Sequence, residues 1–144
     1  MACLIYFHGG GFFAGNVDMY DYYLNTISIQ LNIVVISVEY RLCPEHMYPA
    51  AIEDCWNVVQ FYIENSQLFN TDLNRTIIGG DSAGANLTSV ITQRIAENES
   101  ISFRPKFVIY ITPFFQLFNL ELPSIRRYFP CGIISYFSFY TGKR

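Results

Sequence analysis

An α/β fold, with a mostly parallel sheet of about four strands and helices on both faces, is what this sequence predicts. Three observations carry the prediction. Short apolar runs alternate with longer stretches of helical periodicity in the order β-α-β-α-β-α-β. The strand candidates are apolar on both sides, as parallel strands covered by helices must be. Two glycine clusters fall at the carboxyl ends of strand candidates, which is where open α/β sheets bind ligands. At 144 residues, with 51% hydrophobic and 15% charged side chains, the chain has the length of one domain and too little charge to stay unfolded.

Ala2 to Phe7 is a nearly continuous apolar run halted by His8-Gly9-Gly10-Gly11, which suits a strand ending in a glycine loop. Tyr20, Leu24, Ile27 and Leu31 then recur at helical spacing, and Asn32 marks the stop. Ile33 to Val38 is β-branched almost throughout, and its lack of a polar face predicts a central strand. Pro44 and Pro49 bracket a loop, after which Pro49 opens a helix with Ile52, Cys55, Trp56, Val59 and Ile63 on one stripe. Arg75 to Gly79 reads as a third strand, and Ala83 to Asn98 as a helix with Leu87, Val90, Ile91 and Ile95 inward. Phe107 to Thr112 is a fourth strand ended by Pro113. Residues 114–144 lose the periodicity and receive no assignment.

Composition excludes several functions. Net charge is −3 and the isoelectric point about 5.2, with basic pairs only at Arg126-Arg127 and Lys143-Arg144; no nucleic-acid partner is expected. Cys3, Cys43, Cys55 and Cys131 stand far apart and form neither a zinc pattern nor a disulfide scaffold, so they are expected to be free thiols acting as small hydrophobes. The longest greasy stretch, Phe107 to Phe118, is interrupted by Thr112, Pro113 and Gln116 and is too short to span a membrane. The first residues lack the pattern of a cleaved leader and are expected to lie within structure. Three Asn-x-Ser/Thr tripeptides, at Asn74, Asn86 and Asn98, matter only for a chain that enters a glycosylating compartment.

Gly80-Asp81-Ser82-Ala83-Gly84 spells G-x-S-x-G between a predicted strand and a predicted helix, the setting in which this motif is a nucleophile elbow. Small residues two before and two after the serine permit a sharp turn that lifts its hydroxyl clear of the sheet. Ser82 is therefore the nucleophile candidate. Alone, the pattern arises by chance in roughly 4% of such chains, whereas His8-Gly9-Gly10-Gly11 arises in on the order of 0.05%. A serine attacking an ester carbonyl drives charge onto the carbonyl oxygen, and backbone N–H groups must meet that charge as it forms. A glycine loop can bring such groups close, and Ala83, after the nucleophile, supplies another. The plainer alternatives are a tight turn for the glycines and a turn with a helix cap for the serine. Neither phosphate-binding glycine pattern occurs.

On these residues the chain resembles the hormone-sensitive-lipase branch of the α/β-hydrolases, and within it the arylacetamide deacetylase and neutral cholesterol ester hydrolase group. The matching stretches are His8 to Gly15, Glu39-Tyr-Arg-Leu-Cys-Pro-Glu45 with Tyr48-Pro49-Ala50, and Gly79 to Asn86, with a weaker Leu122-Pro-Ser124. The resemblance implies a serine carboxylesterase or deacetylase acting on lipophilic esters or amides, with no cofactor and no metal. Ser82 matches the nucleophile, and Gly9, Gly10, Gly11 and Ala83 match the oxyanion hole. His8 matches a structural member of the loop, while Asp81, Gly80 and Gly84 match supporting positions. Tyr40-Arg41 and Glu45 match packing and loop-fixing positions. By family analogy alone, the resemblance also suggests the endoplasmic reticulum and association with its membrane.

One departure is as informative as the match. The triad in this fold runs Ser, Asp or Glu, then His along the chain, yet no histidine follows Ser82; the two present are His8 and His46. Glu97, Glu99 and Glu121 match no acid motif of the family. Residues 1–144 thus read as a single partial α/β-hydrolase domain without the early strands or the acid and base, and activity of this chain is expected to be impaired or lost. A non-catalytic lipid- or protein-binding relative and a truncated gene product are the alternatives. The family topology places the strands in the order second, first, third, fourth, which makes both Ile33 to Val38 and Phe107 to Thr112 edges.

Overall fold

The computed structural model describes residues 1–113 and, as backbone only, 137–140. Its elements in chain order are β1 (Cys3–Phe7), α1 (Asp21–Leu31), β2 (Val34–Val38), α2 (Ala50–Asn65), β3 (Thr76–Asp81), α3 (Ala83–Glu97), β4 (Phe107–Ile111) and β5 (Phe137–Tyr140). They build one five-stranded sheet in the order β2-β1-β3-β4-β5. β1 pairs in parallel with both β2 and β3, and β3 pairs in parallel with β4. The expected β-α-β-α-β-α-β order is present.

Alternate residues of β1 feed two cores. Cys3, Ile5 and Phe7 join Cys55, Val59, Ile78, Leu87, Ile91 and Ile95 beneath α2 and α3. Leu4 and Tyr6 join Leu24 of α1 on the other face, with Val35 and Ile77 packed against them. Period-2 alternation therefore places helices on both faces of the sheet. The stripes read from α2 and α3 face inward, whereas Leu31 is 64% exposed because α1 ends there and the chain reverses through Asn32 at φ 50°.

Two expectations about the sheet need correction. Among the described strands β2 is an edge, as the family topology expects and contrary to the central place its composition suggests, and Val34 to Ser37 are only half-buried; β-branched apolar character marks a strand covered by helices, not its place in the order. Phe107 to Thr112 was expected as the opposite edge, but β5 pairs antiparallel with Val108 to Ile111. The tail thereby supplies hydrogen-bond partners to backbone groups that would otherwise stay unpaired. The remainder of 114–144, including Cys131, Glu121 and Leu122-Pro-Ser124, lies outside the described residues.

The free side of β2 has a measurable consequence. Among the described residues it presents an apolar strand edge without a partner, so the chain by itself is expected to self-associate as its concentration rises. Sedimentation velocity should show mass growing with concentration; a sharp monomer over the whole range contradicts the expectation.

Candidate active site

β3 runs two residues further than the sequence suggests, because Gly80 and Asp81 continue its ladder against Tyr110 and Ile111. The chain then turns within one residue into α3. Ser82 occupies that residue at φ 50°, ψ −115°, a conformation that costs a non-glycine side chain on the order of 1–3 kcal/mol. Its N–H donates to Ile111 O at 2.9 Å, and its carbonyl accepts from Asn86 N at 3.2 Å. The serine stands at the N-cap of α3 yet makes no side-chain capping bond. A capping serine ordinarily contributes about 1 kcal/mol, so this hydroxyl forgoes the structural use open to it. The side chain is half-buried, and its Oγ bonds to no described residue.

The turn fits only because the neighbouring residues are small. A Cβ on Gly84 would strike Phe7 O and lie 2.5 Å from His8 O, and one on Gly80 would lie 2.5 Å from Phe7 O. The first turn of α3 is therefore pressed onto the last residues of β1, where the triple-glycine loop begins. Gly9 in turn lies against Asp81, whose carbonyl oxygen would be 3.1 Å from a Cβ built there. Sheet register makes this adjacency inevitable, since Phe7 pairs with Gly80 in the parallel ladder. The structure thus brings Ser82, Ala83, Asp81, Gly80 and Gly84 together with His8 and Gly9 at the carboxyl ends of adjacent strands.

Within the loop the amides divide their work. Gly9 N donates to Asp81 Oδ1 at 2.9 Å and approaches Tyr20 OH at 3.1 Å, which occupies it. Gly10, at φ 125°, offers its carbonyl to Phe13 N and Ala14 N at 3.2 and 3.0 Å. The N–H groups of Gly10 and Gly11 donate to nothing among the described residues. Ala83 opens α3, where an N–H has no intrahelical acceptor. Gly10, Gly11 and Ala83 thus carry backbone donors that no described residue takes up.

The carboxylate of Asp81 holds this arrangement. Besides Gly9 N it accepts from Tyr6 OH on Oδ1 and Tyr20 OH on Oδ2, both at 2.9 Å. Burial, followed by the charge of Asp81, pushes the Tyr6 phenol well above its ordinary value; burial and the hydrogen bond to Asp81 do the same for Tyr20. Both phenols therefore remain donors. The sequence reading had Asp81 as a supporting residue but assigned Tyr20 only to an apolar stripe and missed Tyr6. A buried tyrosine needs a partner for its hydroxyl, and Tyr6, one strand residue from the glycine loop, carried that signal. Asp81→Ala strips three donors of their acceptor and is expected to cost about 3 kcal/mol or more; Tyr6→Phe, which removes donor and bond together, should cost less. Urea unfolding of the two variants checks the order, and equal losses contradict it.

His8 is fully buried. Its Nδ1 lies 2.7 Å from Gly9 O, an atom that only accepts, so Nδ1 carries the proton, and Nε2 is buried without a hydrogen-bond partner. The ring stacks on Tyr40 at 4.2 Å and 12°, and Tyr40 OH donates to His8 O at 2.6 Å. His8 props the loop from beneath. His46 is exposed in the proline-bounded loop. Arg41 bonds Asp54 through two guanidinium nitrogens and its own N–H, and Glu39 accepts from Val17 N at 2.7 Å; both fasten loops around the site. Cys3 and Cys55 are free and buried, and Cys43 is free and half-buried; burial pushes the Cys3 and Cys55 thiols up.

Among the described residues no group of three His, Cys, Asp or Glu could hold a metal ion, and no helix is long and apolar enough to cross a membrane. A cavity of about 520 Å³ between α2, the Leu73-Asn74 turn and residues 98–104 sits where the strands begin, at the far end from Ser82. The cavity and the serine turn thus lie at opposite ends of the sheet.

A parallel sheet with helices on both faces, a strained serine between β3 and α3 and a glycine loop after the neighbouring strand define an esterase- or deacetylase-type hydrolase architecture. The chain belongs to the alpha/beta hydrolase fold family, whose model matches residues 4–132. It is 44% identical over 91 residues to esterase LipI of Mycobacterium tuberculosis, covering 63% of this chain and 28% of that protein. It is 35% identical over 127 residues to arylacetamide deacetylase of Bos taurus, covering 85% and 32%. Among solved structures, the thermostable carboxylesterase EstE1 from a metagenomic library aligns with a TM-score of 0.78 at 28% identity, over 88% of this chain and 42% of that one. The chain spans about a third of the length of these curated relatives.

Proposed function

We propose that Ser82 is the nucleophile of a serine carboxylesterase or deacetylase site for small lipophilic esters or amides, and that Gly10, Gly11 and Ala83 supply its oxyanion hole. Gly9, which the resemblance places in the hole, serves instead to fasten the loop to Asp81. The observation that supports the reading is the strained Ser82, whose hydroxyl caps no helix, at the end of the strand next to the one that leads into the glycine loop, whose Gly10 and Gly11 amides bond to no described residue. Attack of Oγ on the carbonyl carbon forms the tetrahedral adduct, whose oxygen turns toward those amides. The proton of Oγ needs an acceptor, and neither histidine of this chain fits: His8 is enclosed beneath the loop, and His46 stands in an exposed loop ahead of the nucleophile. The residues of this chain therefore bind and polarise an ester but lack the acid and base of a triad, so its own turnover is impaired.

The second reading is a relative that binds a lipid or a protein through the same site without turnover, since neither His8 nor His46 stands ready to take the proton of Ser82. Prolonged exposure to a fluorophosphonate separates the two. The hydrolase reading expects a single adduct on Ser82 that disappears in Ser82→Ala. Marking spread over several serines, or none, leaves the binding reading. Substrate preference and membrane association are proposals of the family resemblance alone.

A further inference from the structure

The three Asn-x-Ser/Thr tripeptides occupy different environments, and one of them is built as an acceptor. Asn86 lies in the first turns of α3, where Leu87 and Thr88 are fully buried and the Thr88 hydroxyl donates to Gly84 O at 2.9 Å. Asn74 is exposed, but Thr76 is fully buried and its hydroxyl shares a hydrogen bond with Tyr62 OH at 2.8 Å. Folding thus draws the hydroxyl of both tripeptides into the interior.

Asn98-Glu99-Ser100 differs in where its hydroxyl lies. It follows the last residue of α3; Asn98 is half-buried, and Glu99 and Ser100 are exposed. Asn98 Oδ1 accepts from Ser100 N at 3.0 Å and from Ser100 Oγ at 2.6 Å. Both bonds span two residues, so the turn forms without tertiary structure, in a nascent chain as in the folded one. An amide nitrogen is a poor nucleophile because its lone pair is shared with the carbonyl. Two donors on Oδ1 stabilise the charge that gathers there as Nδ2 loses a proton, which frees the nitrogen to attack.

We propose that Asn98 is an acceptor for an N-linked oligosaccharide. The bond formed joins Nδ2 to C1 of the first sugar. The bond broken joins that C1 to the pyrophosphate of a polyisoprenoid carrier, which leaves with the electron pair, while the Nδ2 proton passes to a base of the transferring enzyme. A bulky, hydrated glycan needs an open surface, and the loop provides one. The 15 residues of α3 separate it from Ser82, about 22 Å at 1.5 Å per residue, so a glycan there leaves the candidate acyl site open.

The test is translation of the full chain, carrying an added leader and an added terminal Asn-x-Thr reporter, in the presence of glycosylation-competent microsomes. N-glycanase release in heavy-oxygen water then marks each occupied asparagine for peptide mass mapping. The expected result is marking at Asn98 and not at Asn86, with loss of the Asn98 mark in Ser100→Ala and its retention in Ser100→Thr. An occupied reporter with unmarked Asn98 overturns the proposal, as does marking of Asn86 equal to that of Asn98. Because the readout is the modification itself, it holds whether or not Ser82 is a nucleophile.

Discussion

Gly84→Ala is expected to destroy cooperative folding, although it adds a single methyl group. The new Cβ would meet Phe7 O, His8 O at 2.5 Å and Phe7 C at 2.6 Å, backbone atoms of the last residue of a strand paired on both sides and of the residue that follows it. No rotamer relieves such a clash. Either α3 lifts from the sheet or β1 leaves its register, and both changes open the core under Leu87 and Ile91. Overpacking in a core ordinarily costs about 1–3 kcal/mol, but a contact on immobile backbone belongs to the rare class of about 4 kcal/mol or more. That is a large share of the roughly 5–15 kcal/mol that holds a domain together. Circular dichroism on heating should show a broad or absent transition for the variant; an unchanged midpoint contradicts the close approach of α3 to β1.

The second large effect is kinetic. In serine hydrolases the triad acts as a unit, and loss of one member costs nearly as much as loss of all three, on the order of 10⁶ in kcat. With neither His8 nor His46 placed to serve as base, this chain is expected to hydrolyse an activated ester about 10⁶-fold more slowly than a complete triad enzyme, and Ser82→Ala should lower the residue of activity little further. Turnover of a p-nitrophenyl ester by the two proteins checks both statements. A kcat near the enzymatic median of about 10 s⁻¹, lost in Ser82→Ala, contradicts the account and implies a base among residues it assigns elsewhere.

Most of the fold was legible because burial on both faces writes itself into composition. Cys3 to Phe7 and Phe107 to Ile111 are too apolar to be anything but covered strands, and the inward faces of α2 and α3 keep their helical period. Strand order was legible through the family resemblance, whose order second, first, third, fourth is observed as β2-β1-β3-β4, and not through composition. Val34 to Val38 looks central by composition yet is an edge among the described strands, since covering a strand by helices and flanking it by strands leave similar apolar sequences. Pairing of Phe137–Tyr140 with β4 is a long-range contact that no local pattern signals.

At the site, sequence located what depends on backbone shape and missed what depends on three-dimensional convergence. Gly80, Ser82 and Gly84 announce a sharp turn because only small residues survive its crowding. The assignment of Gly9 to fastening rather than to the hole depends on Asp81, at the end of β3, reaching the loop that follows the neighbouring strand β1. Tyr20, 61 residues from Asp81, repeats at helical spacing like any apolar residue, and only the fold shows where its hydroxyl goes.

The most direct test of the acyl-transfer site is a crystal structure of the chain with an alkyl boronic acid, which adds to a serine at equilibrium and so does not wait on a missing base. The account predicts a bond from Ser82 Oγ to boron and a boronate oxygen about 2.7–3.1 Å from the N–H groups of Gly10, Gly11 and Ala83, with Gly9 N still on Asp81. A boronate that ignores Ser82, or one bound there with its oxygens turned away from the glycine loop, contradicts it.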